Sequence, residues 1–433
     1  MGCRGFAGGG FAMKSMKYII VLVDGMADEP LEVLGNKTPL EVAHIPTING
    51  LAARGRVGLV STVPEGMQPG SDVANLSVMG YPPERFHSGR SPLEAASIGV
   101  PLTATDVTFR ANMVTLKDAL KTGYSNFTMV DHSSGDITTE EAKVLIGDLV
   151  IHFEDKLKQM ACTLYSGVSY RHLLLWDRGH TDFILTPPHD ILGKSVADYL
   201  PKGDAFAKDL LDVMADSYDF LSVHPLNSER VEKGLNPANS LWFWGEGRKP
   251  ALESFEKCYG LKGHVISAVD LIKGIGRLTG LVDIAVEGAT GNLHTNFRGK
   301  SQAALDALLA GDDFSYIHIE APDECGHQGD LEGKILAIEK IDQLVVKPLV
   351  DGLKKANVPF RMVIVPDHPT PIRLRTHTRE PVPYVLYDST EDLAGVLADV
   401  PYRFSEPSAQ AAVDAGDGEF IEQGHHLMKM LIA

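Results

Sequence analysis

Asp323 and His327 stand four residues apart directly after an apolar run. If that segment turns helical, the D-x3-H spacing points a carboxylate and an imidazole to one face, where both could hold a cation. Alone, the pair reads as a helix cap beside a surface histidine. A second carboxylate–imidazole pair, Asp367-His368, ends another apolar run, and His377 follows before a third. Asp24 closes the first apolar run of the chain, with Gly25 leaving room for close approach. Ser71 sits in the Gly-led stretch Gly70-Ser71-Asp72-Val73-Ala74-Asn75, which opens a helix whose N–H groups would favour an anion; the plain alternative is a capping serine. Together these positions offer three Asp, three His and one Ser. Oxygen and imidazole donors without thiolate suit Mn²⁺, Zn²⁺ or Mg²⁺, and seven donors suit two ions better than one. Two such ions can clamp a phosphoryl group while one activates the serine hydroxyl for attack on phosphorus.

The elements that must position these groups follow from the same runs. Lys17–Val23, Phe314–Ile319 and Arg361–Val365 are continuously rather than alternately apolar, as strands covered on both faces must be. Each ends at an acidic residue, and ligands collect at the carboxyl ends of parallel strands. A fourth strand is expected at Pro383–Tyr387, with helices at Thr47–Arg54, Lys300–Leu309 and Leu331–Leu353. The alternation predicts an α/β fold with a sandwiched, mostly parallel sheet. The chemistry is split between residues before about 90 and after about 310, too wide a gap for a structureless loop. Expected bounds are 16–108 with 286–433 for the discontinuous catalytic domain and 109–285 for an inserted α/β or α+β domain. Within the insert we expect strands Thr108–Leu116, His172–Leu175 and Ser240–Phe243, and helices Thr138–Phe153 and Phe206–Leu221.

Composition narrows the function. The 433 residues are 44% hydrophobic and 22% charged, as in globular proteins. A net charge of −17 would repel a phosphate backbone, which argues against nucleic acid as a partner. Any phosphate site must therefore concentrate its cations locally. Four dispersed cysteines without C-x-x-C spacing argue against disulfides and zinc–thiolate sites and fit a reducing cytoplasm. No apolar run approaches the ~20 residues that span a bilayer, so a membrane location is not expected. Gly-rich residues 1–15 read as a disordered leader.

With these residues in place, the chain resembles the archaeal-type branch of the cofactor-independent phosphoglycerate mutases, within the alkaline phosphatase superfamily, from Met16 onward. The stretches that carry the likeness are Val23–Asp28, Gly70–Tyr81, Gly89–Ala95, Pro322-Asp323 with Gly326-His327, Pro366-Asp367-His368, and His377 before Pro381-Val382-Pro383. The resemblance implies an alkaline-phosphatase-like fold and two divalent ions, Mn²⁺ foremost, with no 2,3-bisphosphoglycerate. It places one ion on Asp323, His327 and His377, and the other on Asp24, Ser71, Asp367 and His368. It further implies that Ser71 becomes phosphoserine while phosphate moves between the 3- and 2-hydroxyls of glycerate, held by the insert. Arg171, Arg248, Lys273 and Arg90 look like anion contacts, against the plain reading of solvated charges.

One element departs from the family pattern. Where an early Arg-Ala-Gly is expected, this chain has Asp131-His132-Ser133-Ser134-Gly135-Asp136, so acid and hydroxyl groups replace a cation. His132 is then a candidate substrate contact or acid–base group. The same metal chemistry would serve a phosphatase, and the insert is similar to a bacterial side branch proposed to act as homoserine kinase. Neither a P-loop nor a kinase-type Gly-rich loop occurs to hold a nucleotide. The partner expected is a small phosphorylated molecule, with a homo-oligomer left open.

Overall fold

The computed structural model describes residues 15–117, 123–393 and 401–433. The expected leader, residues 1–15, lies outside these except for Ser15. The chain divides into two compact units, one formed by Met1–Phe86 with Leu252–Ala433 and the other by His87–Ala251.

The first unit holds a mixed, mostly parallel eight-stranded sheet. Its order is Phe420–Ile421, Arg56–Val60, Val382–Asp388, Phe360–Pro366, Lys17–Val23, Phe314–Ile319, Gly263–Ile266 and Val282–Asp283. Lys17–Val23 is central, parallel to Phe314–Ile319 on one side and Phe360–Pro366 on the other. Its residues from Ile19 to Val23 are wholly buried, which is why the run carries no alternating polar face. Val382–Asp388 runs antiparallel to both neighbours, a direction that apolarity alone does not encode. Helices cover the sheet, among them Pro46–Ala53, Phe297–Ala310 and Leu331–Ile341, each contributing to one apolar core with the strands.

Two expectations need correction. Gly263–Ile266 pairs in parallel with Phe314–Ile317 of the large sheet, so 252–285 belong to the first unit rather than to the insert. Likewise 87–108 belong to the second unit, whose helix Ser91–Ser97 packs on its own sheet through Ser91 Oγ, a donor to the Thr108 carbonyl at 2.9 Å. Short apolar stretches do not reveal which sheet they join; long-range pairing does. The single helix expected over Leu331–Leu353 is instead Leu331–Ile341 and Lys347–Lys355, joined by a π-helical turn at Asp342–Val346. There Asp342 accepts hydrogen bonds from the N–H groups of Ile48 (2.7 Å) and Thr47 (3.3 Å). It thereby caps the helix Pro46–Ala53, whose own cap residue Ile45 supplies no side-chain bond.

The second unit is α+β. Val107–Lys117 is the long strand of a five-stranded sheet, pairing with Arg171–Trp176, Ser240–Arg248 and, at its end, Thr128–Asp131, with Cys162–Val168 beyond Arg171–Trp176. Every pairing in it is antiparallel. Helices Thr139–His152 and Ala205–Ser222 pack on it, capped by Thr138 and Asp204.

Candidate metal centre

The seven side chains singled out in the first unit converge at the carboxyl ends of three adjacent strands. Asp24 follows Lys17–Val23, Asp367 and His368 follow Phe360–Pro366, and Asp323 and His327 lie on the helix Ala321–Gln328 just beyond Phe314–Ile319. The i, i+4 geometry brings His327 Nε2 to 3.2 Å from Asp323 Oδ2. His377 joins them, its Nε2 lying 2.9 Å from His327 Nε2 and 3.5 Å from Asp323 Oδ1. Asp24, Asp367 and His368 form a second group, and within each group the donor atoms all lie within 4.8 Å of one another. The groups adjoin, with the His368 and His377 rings stacked at 3.9 Å.

Ser71 is the first residue of the helix Ser71–Val78, while Gly70 occupies the cap position. The hydroxyl makes no capping bond; it lies 3.3 Å from both Asp24 Oδ2 and His368 Nε2. The plain reading of Ser71 as a cap is thereby set aside. A half-exposed hydroxyl at a helix N-terminus, beside carboxylate and imidazole, is placed to meet an anionic electrophile.

Close backbone approach makes this density achievable. Gly25 adopts φ +60, and a Cβ there would lie 2.5 Å from Asp323 Oδ1. Its N–H donates to Asp367 Oδ1 at 3.0 Å. Asn75 donates to Asp367 Oδ2 (3.3 Å) and to the Ser71 carbonyl (2.8 Å), and itself accepts from the Tyr316 hydroxyl (2.7 Å). Thr62 donates to the Asp367 carbonyl.

The electrostatics are those of a site needing cations. Burial, then the nearby Asp367 and Asp323, push the Asp24 carboxyl well above its ordinary range, and its Oδ1 is buried without a hydrogen-bond partner. Burial also raises Asp323, but hydrogen bonds from His327 and His377 outweigh it and leave that carboxyl well below the ordinary range. The bond to Asp323 in turn raises His327 to about 9. Glu320 is pushed up to about 8, by burial first and by Glu324 and Asp323 next. His327 Nδ1–H donates to the Arg375 carbonyl at 3.0 Å, so Nε2 is the nitrogen turned to the group, where a cation could replace the proton it shares with Asp323. An orphaned oxygen, imidazole nitrogens turned inward and crowded carboxylates fit divalent ions with mixed O and N ligation.

The sequence did not single out His318, Lys300 or Glu320. His318 is wholly buried, with Nε2 3.1 Å from Asp24 Oδ2 and Nδ1 3.1 Å from Ser267 Oγ. Lys300, also wholly buried, donates to the His318 carbonyl at 3.0 Å, and burial lowers it to about 8. The available signal was a polar residue interrupting an apolar element. Lys273, singled out as an anion contact, lies in the first unit and pairs with Asp270 at 3.5 Å.

Within the second unit the candidates separate. Arg248 donates to the carbonyls of Thr105 (3.0 Å) and Gly179 (2.6 Å), bonds that tie loops together. Arg171 is exposed, its guanidinium 5.1 Å from the Tyr170 ring. His132 meets Tyr170 and His189 edge-on, and its Nδ1 is buried without a partner. His189 is held below its ordinary value by burial first, and also by the positive field of His132, Arg110 and Arg90 against the opposing pull of Asp190. Arg110, which the sequence reading missed, lies over the Trp244 ring at 4.1 Å and forms a bidentate pair with Glu94 at 3.0 Å. His132, Arg110 and Arg90 thus all lie within electrostatic reach of His189, whereas Arg248 is bonded to two loop carbonyls. Asp131, in the departing element, accepts from Ser133, Gly135 and Asn236 and so stabilises its own turn.

Comparisons with known proteins agree in one direction. Residues 52–227 match the family model described as 2,3-bisphosphoglycerate-independent phosphoglycerate mutase. A Geobacter sulfurreducens protein named "Probable 2,3-bisphosphoglycerate-independent phosphoglycerate mutase" is 48% identical over 96% of this chain and 100% of its own length. A Methanothrix thermoacetophila protein named 2,3-bisphosphoglycerate-independent phosphoglycerate mutase is 46% identical, again over 96% of this chain and 100% of its own. The solved structure of a cofactor-independent phosphoglycerate mutase from Thermoplasma acidophilum superposes with a TM-score of 0.62 at 26% identity, covering 96% of this chain and 99% of that one. The chain belongs to the 2,3-bisphosphoglycerate-independent phosphoglycerate mutase family.

Proposed function

We propose that this chain interconverts 3-phosphoglycerate and 2-phosphoglycerate through a phosphoserine at Ser71, with no 2,3-bisphosphoglycerate. The observation that carries the reading is the Ser71 hydroxyl, 3.3 Å from Asp24 Oδ2 and from His368 Nε2 at the start of a helix. Two divalent ions, Mn²⁺ foremost, would be held by Asp323, His327 and His377 and by Asp24, Asp367, His368 and Ser71. When bound, they supply charge neutralisation for the phosphoryl oxygens and lower the pKa of the serine hydroxyl.

The protein's own groups account for the rest. As the Ser71 Oγ–P bond forms, the hydroxyl proton leaves along the bond to Asp24 Oδ2, and the bond from phosphorus to the glycerate 3-oxygen breaks. The departing 3-oxygen takes up one proton; when the 2-hydroxyl attacks the phosphoserine it gives one up, the Ser71 Oγ–P bond breaks, and Oγ takes its proton back from Asp24, so the cycle is proton-neutral. N–H groups at the start of the helix Ser71–Val78 face the anion. His132, Arg171 and Arg90 remain our candidates for recognising an anionic group, while Arg248 and Lys273 are the weaker of the original set for the contacts described. We also place the protein in the cytoplasm, on its lone cysteines; no helix among the described residues is long and apolar enough to cross a membrane.

Phosphorus NMR of the protein with 3-phosphoglycerate and Mn²⁺, without nucleotide, tests the reading. We expect the 2-phosphoglycerate resonance to grow to equilibrium. Release of inorganic phosphate instead would mark a phosphatase, and an absolute requirement for ATP a kinase.

A further inference from the structure

Thr370 lies between the two groups of donors and is wholly buried. Its Oγ1 is 2.5 Å from Asp323 Oδ1 and 3.3 Å from His368 Nδ1. We infer that Thr370 is a positioning residue that joins the two ligand groups into one unit and sets the tautomer of His368. The inference rests on the two-ion reading above.

A threonine hydroxyl has one proton and two lone pairs. Asp323 has acceptors only when ionised, so the short contact to Oδ1 must hold the hydroxyl proton. The nitrogen facing the remaining lone pair is then a donor, and His368 carries its proton on Nδ1. Its Nε2 lone pair is left facing Ser71 Oγ at 3.3 Å, Asp367 Oδ2 at 3.4 Å and Asp24 Oδ1 at 3.7 Å. A metal-binding imidazole needs this arrangement, with the far nitrogen donating so that the near one is free. One hydroxyl thus fixes a carboxylate of the first group and an imidazole of the second.

The surroundings hold that hydroxyl in place. Thr370 N–H donates to the Ala27 carbonyl at 3.2 Å. The Thr370 carbonyl accepts from Lys334 Nζ at 2.9 Å. Lys334, itself wholly buried, also donates to the Ala27 carbonyl at 3.1 Å and to Asp28 Oδ2 at 2.6 Å. The ammonium therefore ties the segment after Asp24 to the segment after His368. Pro369 and Pro371 restrict the backbone on either side of Thr370. Gly326 completes the fit, since a Cβ there would lie 2.6 Å from the Thr370 carbonyl oxygen.

Thr370→Val keeps the side-chain shape and removes the hydroxyl, and Thr370→Ser restores it. Mn²⁺ titrations of the full chain by calorimetry should show two equivalents in the wild type. In Thr370→Val both should bind about tenfold or more weakly, and Thr370→Ser should return them to near the wild-type values. In the protein loaded with diamagnetic Zn²⁺, ¹⁵N NMR should show His368 protonated on Nδ1, with that signature weakened in the valine variant and recovered in the serine variant. Unchanged affinities in Thr370→Val, or weakening of one equivalent only, would overturn the inference, as would a His368 protonated on Nε2. Wild-type protein that takes up fewer than two equivalents would sink the two-ion reading itself. If the valine variant fails to fold, a serine variant with weakened sites would count against the hydroxyl's role.

Discussion

The two units assemble their polar groups in different ways. In the first, the donors come from positions far apart in sequence, yet Asp24, Asp367 and His368 stand at strand ends and Asp323 and His327 on the helix just beyond one, with Ser71 at a helix start and His377 in a loop joining them. In the second, Arg110 sits inside the long strand Val107–Lys117 and meets its partners only because other segments are laid beside it. Trp244 on the neighbouring strand supplies a ring, and Glu94 on a helix supplies a carboxylate. Strand ends can be located from apolar runs, whereas cross-strand neighbours depend on register. Chemistry at strand ends is therefore readable in a single sequence, and chemistry in a sheet interior is not.

The largest effect should come from Ser71→Ala, which removes the attacking oxygen while leaving the carboxylates and imidazoles in place. Turnover should fall roughly 10⁴-fold or more, with Mn²⁺ stoichiometry and circular dichroism retained. Residual turnover close to wild type would detach the first unit's site from covalent chemistry. Asp323→Asn comes next: one of two Mn²⁺ equivalents should be lost by calorimetry, with activity down about 100-fold. Unchanged stoichiometry and activity would count against Asp323 as a ligand.

Smaller effects sharpen the other side of the comparison. Arg110→Met strips a partly buried pair of its cation and leaves Glu94 uncompensated; about 1–3 kcal/mol of stability should be lost in thermal unfolding, after discounting for partial solvent access. Glu94→Gln added to Arg110→Met should recover part of it. A full-sized loss in the double variant would show that packing on Trp244, not the ion pair, holds the strand. The mildest test is titration of His172, wholly enclosed in the second unit's sheet, where burial pushes the imidazole down to about 3. Its contribution is full above the ordinary value near 6.5 and is lost as pH falls toward 3, because the unfolded chain binds a proton the native one refuses. Denaturant unfolding between pH 7 and 5 should show this fall, flattened in His172→Gln; an identical slope in the variant would assign the acid sensitivity elsewhere.

The fold was legible where apolar runs were long. Lys17–Val23 and Phe314–Ile319 were expected with the bounds the structure has, because strands buried on both faces leave no polar residue to blur them. Gly263–Ile266 was not assigned to its sheet, since four apolar residues carry no statement about their neighbours. Among the donors, carboxylates and imidazoles announced themselves by type. Thr370 did not, because a threonine between two prolines reads as a turn until its hydroxyl is seen between Asp323 and His368. Arg248 shows the opposite side: an arginine near aromatic residues suggests a ligand, and in the fold two of its N–H groups are bonded to backbone carbonyls.

The π-turn at Asp342–Val346 has a bearing on how this chain tolerates changes in length. One extra residue in that turn sets the angular phase between the two helical halves, and Asp342 faces the starting N–H groups of Pro46–Ala53 only in that phase. Excising a single residue there would straighten the rod but swing everything downstream by about 100°. Substitution at the exposed Gln343 can drift, but not at Asp342, while insertions and deletions are barred from the whole turn.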